Sequence, residues 1–87
     1  MKVNPLFVLR EIADEYIVVP VGEEADRVHG VLTLNEQGAF LWKLMESEQT
    51  EKSLLDAMVK EFAVEEDTAQ ADIADFLLEL QKIGCLQ

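Results

Sequence analysis

The chain has 87 residues and 49% apolar side chains, enough for one domain with a modest core and too few for two. Eighteen acids against seven bases give a net charge of −11, the wrong sign for a duplex-DNA reader and for an anionic membrane surface. A single cysteine, Cys85, excludes an internal disulfide and a multi-cysteine metal site.

The N-terminus, "MKVNPLFVLRE", lacks the apolar stretch and cleavage site of a signal peptide. No apolar run approaches the ~20 residues of a membrane span, so a cytoplasmic location is expected. Two β-branched runs come next, Leu6 to Ile12 and Tyr16 to Val21, separated by "ADE". They predict a hairpin, with Pro5 before the first strand and Pro20 near the end of the second. In the first strand Leu6, Val8 and Ile12 share one face and Phe7 and Leu9 the other, so the alternation leaves the inward face open. "GEEADRVHG" reads as a polar, acidic loop bounded by Gly22 and Gly30. "VLTLN" is a third strand, with Val31 and Thr33 on one face and Leu32 and Leu34 on the other.

Asn35 then serves as an N-cap, because its side-chain oxygen can accept from the first free helical N–H groups. The helix it opens spans about Glu36 to Met45, and Phe40, Leu41, Trp42, Leu44 and Met45 cover most of its circumference. A helix apolar nearly all round is buried on several sides. Gly38 leaves room for a close neighbour. Thr50 caps the next helix, whose stripe is Leu54, Leu55, Met58, Val59 and Phe62. For the last helix, Asp67 with Gln70 resembles a capping box, and Glu65 is an earlier start. Its core stripe is Ala69, Ile73, Phe76, Leu77, Leu80 and Ile83, and Gly84 is its C′ residue. Ala71, Ala74 and Leu78 make a second, small-residue face; Leu78 lies about 140° around from Ile73. The expected class is α+β: a three-stranded antiparallel sheet followed by three helices.

Residues that carry chemistry are sparse. His29 stands beside a loop glycine with no second ligand at HExxH or CxxC spacing. Cys85 reads as a partly buried residue behind the last helix. No carboxylate pair is marked as an acid–base couple, and Ser47 and Ser53 lack a base at a recognisable spacing. No catalytic residue, cofactor or metal ligand is expected.

The order "GVLTLNEQGAFLWKLM", "SLLDAMVKEF" and "ADIADFLLELQKIGCL" resembles the PqqD family. The resemblance rests on Leu34-Asn35 entering a helix, on Gly38 and Trp42 within it, and on the two amphipathic helices after it. It implies a winged helix-turn-helix-like fold and a non-catalytic peptide chaperone that binds the leader segment of a ribosomally made precursor peptide. The leader would add as a strand beside Val31, Leu32, Thr33 and Leu34. The helix wall would come from Ala71, Ala74, Asp75, Leu78 and Gln81 or Lys82. The partners implied are the precursor peptide and a modifying enzyme such as a radical S-adenosylmethionine protein; nucleic acid and membrane are not among them. "MESEQ" stands where members of the quinone pathway carry Asp-Gly after the first helix, and the second loop is longer than theirs. Both departures point to a different modified peptide. Two rival readings stand beside this one. The winged-helix shape suggests a DNA-binding regulator, and an edge strand that self-pairs suggests a structural module forming a homodimer.

Overall fold

The computed structural model describes residues 1–27 and 32–87. The expectations for His29, Gly30 and Val31 lie outside the described residues. Strands β1 (Phe7–Ile12), β2 (Glu15–Pro20) and β3 (Leu32–Leu34) form an antiparallel sheet in the order β1-β2-β3. A short helix α1 (Glu24–Arg27) lies between β2 and β3, and helices α2 (Glu36–Leu44), α3 (Glu51–Phe62) and α4 (Glu66–Ile83) complete the chain. The α+β, winged-helix-like architecture expected from the sequence is present. One addition is α1, a helical turn inside the acidic loop. Its four described residues are too few to show a 3.6-residue period in sequence.

The register resolves which face of β1 points inward. Leu9 pairs with Val18, and Val18 with Leu32, so one row crosses all three strands. Val18 is buried, and Leu9 and Leu32 pack against the core. Phe7 is buried on the same side of β1, while Ile12 at the far end remains exposed. Leu34 is buried and Thr33 exposed, as the alternation in β3 requires.

The helices close over this face. Trp42, Leu41 and Met45 of the α2 region meet Leu54 and Met58 of α3 and Ala69, Ile73, Leu77 and Leu80 of α4. The caps are specific. The Gly38 amide donates to Asn35 Oδ1 at 2.8 Å. Thr50 and Ser53 form a reciprocal capping box, the Ser53 amide donating to Thr50 Oγ1 at 3.0 Å and the Thr50 amide to Ser53 Oγ at 2.9 Å. Gly84 ends α4 at φ 90°, its amide donating to the Gln81 carbonyl while the Cys85 amide donates to that of Leu80. That pattern is a Schellman motif. The start of α4 differs from the Asp67–Gln70 capping box. Glu65 is the N-cap without a side-chain cap bond, and the Ala69 amide donates to its carbonyl at 2.9 Å. Glu66 and Asp67 fall in the first turn, where carboxylates suit the positive end of the helix.

The two ends of the chain lie together. Val3 bridges Leu86, the Gln87 amide donates to the Lys2 carbonyl, and the Met1 ammonium pairs with Glu48 at 2.7 Å. Cys85 is fully buried against this clasp rather than partly so.

Two alanines occupy left-handed backbone that glycine adopts without cost: Ala13 (φ 50°) in the β1–β2 turn and Ala63 (φ 51°) directly after α3. Replacing either with glycine should raise unfolding free energy by about 0.5–1 kcal/mol, the released strain outweighing the added chain entropy. Urea titration followed by circular dichroism checks this, and a lower midpoint at both positions would contradict it.

Candidate functional site

The strand order decides what surface is free. β2 is central and pairs on both sides, whereas β3 pairs with β2 through Tyr16–Leu34, Ile17–Thr33 and Val18–Leu32. No strand among the described residues pairs with the other edge of β3. The backbone groups there form a template for an added strand. β1 also has an open edge, but it carries exposed Arg10 and Glu11. Charges of that kind discourage pairing with a foreign chain.

The residues immediately after β3 fix its position. Asn35 turns the chain and caps α2, and Gly38 packs back against Leu34. A Cβ at Gly38 would sit 3.3 Å from both Leu34 Cβ and Asn35 Oδ1, so a side chain there would press on the strand end and on the cap. Clefts lie on two faces of α2. One, of about 420 Å³, is on the β2 side and is lined by Tyr16, Glu36, Phe40, Lys43 and Phe62 among others. There Phe40 and Phe62 meet edge to face at 5.2 Å, and Lys43 Nζ stands 5.7 Å from the centre of the Tyr16 ring. The Tyr16 hydroxyl is held above its ordinary pKa, chiefly by repulsion from Glu11.

The other cleft, of about 280 Å³, opens on the α2 face turned away from β2. Its walls are Asn35, Gln37 and Gly38 on one side and Asp72, Asp75, Phe76 and Glu79 of α4 on the other; Leu41 and Met58 complete its lining. Through Asn35 and Gly38 it lies next to the Leu34 end of β3. The opposite end of α4 approaches α1. Burial, then the nearby Glu24 carboxylate, pushes the Cys85 thiol from its ordinary 9.0 up to about 11.

Of the residues expected to bind peptide, Leu32, Thr33 and Leu34 form β3, half-buried, exposed and buried in turn. Val31 lies outside the described residues. Ala71, Ala74, Asp75, Leu78 and Lys82 are all exposed on one face of α4, and Leu78 is 52% exposed. That face looks directly away from the core stripe. Only Asp75 of the five also lines the 280 Å³ cleft. The lining residues Asp72, Phe76 and Glu79 lie roughly a quarter-turn around the helix. Their signal was present in the spacing of α4 but needed the position of α2 to be read. Among the described residues no His, Cys, Asp and Glu cluster could hold a metal, and no helix is long and apolar enough to cross a membrane.

Comparison with known proteins places this arrangement. The family model described as "Coenzyme PQQ synthesis protein D (PqqD)" matches residues 15–86. The chain belongs to the PqqD family. Two solved structures resemble it over nearly their whole length. "TbiB1 in Complex with the TbiA(beta) Leader Peptide" is 25% identical with a TM-score of 0.79, the match covering 100% of this chain and 95% of that one. "Lasso peptide synthetase B1 complexed with the leader peptide" is 17% identical with a TM-score of 0.75, covering 97% and 93%. No curated protein matches. The PqqD match includes β2, β3 and all the helices, and so contains the open edge and the cleft beside it.

The Cys85 environment has a measurable result. With the folded pKa above the ordinary value, the thiol's contribution to stability is complete below pH 9 and is lost as pH rises through about 11. At pH 8 the thiolate fraction is about a hundredfold below that of a free cysteine. Iodoacetamide labelling followed by mass spectrometry should be slower by at least that factor in native protein than in denaturant. Equal rates would contradict the burial.

Proposed function

We propose that this PqqD-family chain is a non-catalytic adaptor. It binds the leader segment of a ribosomally made precursor peptide by strand addition at β3 and presents it to a modifying enzyme. The observation that carries the reading is the outer edge of β3, unpaired among the described residues, with a cleft between α2 and α4 at its Leu34 end. Family membership and the likeness to structures solved with leader peptides support it. Strand addition suits the fold: main-chain bonds supply general affinity, and alternate side chains entering side pockets supply selectivity. The wall of the groove is drawn from Asp75 and its cleft neighbours, with the exposed Ala71, Ala74, Leu78 and Lys82 beyond them. The modifying enzyme is of a kind such as a radical S-adenosylmethionine protein, and the setting is the cytoplasm; any cofactor belongs to the enzyme. A DNA-binding regulator finds no support in the comparisons, and the charge of −11 opposes it.

The test is hydrogen exchange with and without synthetic leaders of about 20 residues taken from precursor reading frames adjoining the gene. Protection should rise at Leu32–Leu34 and along α4. Protection confined to Phe7–Ile12, or a concentration-dependent dimer whose size no leader changes, would overturn the reading.

A further inference from the structure

The 280 Å³ cleft has an uneven chemistry. Its lining includes the apolar Leu41, Met58 and Phe76, whereas Asp72, Asp75 and Glu79 all come from α4. Among the described residues no lysine or arginine lines it. Among the same residues none of these three carboxylates is in an ion pair. An apolar surface beneath unneutralised acids suits a side chain with a hydrocarbon stem and a cationic tip. An acidic guest is disfavoured. Asn35 Oδ1 already takes the Gly38 amide, Glu36 already occupies the first turn of α2, and three further carboxylates face the opening.

The position relative to β3 is equally specific. Leu34 is the last residue of β3, Asn35 lines the cleft, and Gly38 of the cleft packs on Leu34. A strand rises about 3.3 Å per residue, so a guest chain paired along β3 and running past Leu34 advances by that step toward Asn35 in the cleft wall. We propose that this cleft is a subsite for a lysine or arginine of the leader, carried at the end of the added strand that lies beside Leu34. The proposal rests on the leader-binding reading above and names what that leader must contain. Opposite charge at this point also fixes register, because a slip of one residue turns the basic side chain to the other face of the added strand.

The experiment selects binders for the full chain from a phage-displayed random library of peptides about 15 residues long. Enriched peptides are then measured by fluorescence anisotropy. A lysine or arginine should recur at one fixed offset from the β-branched or apolar positions. Its replacement by alanine should weaken binding about fivefold. That loss should vanish on the Asp72→Asn, Asp75→Asn, Glu79→Gln variant. It should persist on a control chain carrying Glu15→Gln, Glu46→Gln and Glu51→Gln, which removes the same charge elsewhere. An equal loss on both variants, or no basic preference at all, overturns the subsite. Hydrogen exchange with the same peptides separates the two levels: protection at Leu32–Leu34 without a basic preference rejects the subsite alone, whereas protection at Phe7–Ile12 rejects leader binding at β3 altogether.

Discussion

The structure depends on a strand held from one side. Among the described residues β3, Leu32–Leu34, pairs only with β2. A strand laddered on one side alone gains little stability from that ladder. Further support comes from the chain immediately after it. Leu34 is buried, Asn35 caps α2, and Gly38 brings the first turn of α2 against the strand end. Trp42 and Leu41 then lock α2 into the core. An edge can be left open without fraying because its neighbour in sequence is the most deeply embedded helix of the fold.

Much of this was legible in the sequence, and the parts that were share a cause. Asn35, Thr50 and Gly84 are local devices whose geometry is set by a few adjacent residues. The stripes of α3 and α4 are long enough for their period to be unambiguous. The inward face of β1 was not legible, because both faces carry apolar residues; only pairing of Leu9 with Val18, and Val18 with Leu32, decides it. The α1 turn was too short to show a period. The start of α4 was ambiguous because Glu65, Glu66 and Asp67 all suit a helix N-terminus.

The candidate site divides along the same line. The open strand was readable as a sheet edge through Leu32–Leu34 and through family resemblance. The small-residue strip of α4 stood out because Leu78 breaks a polar face, yet that strip points away from the core. The acids Asp72 and Glu79 were lost among eighteen. Their significance is positional, arising only where α4 passes the start of α2. A sequence shows that a helix has faces; the packing of its neighbours decides which of them borders a space.

The main chain of β3 also bears on tempo. Leu32–Leu34 by themselves offer a guest two or three main-chain bonds, each worth about 0.5–1.5 kcal/mol net, which alone corresponds to millimolar affinity or weaker. Dwell time is then governed by the side chains seated in the neighbouring spaces, and a guest lacking them departs almost as soon as it arrives. Selectivity at such an edge therefore rests on those side chains rather than on the ladder itself.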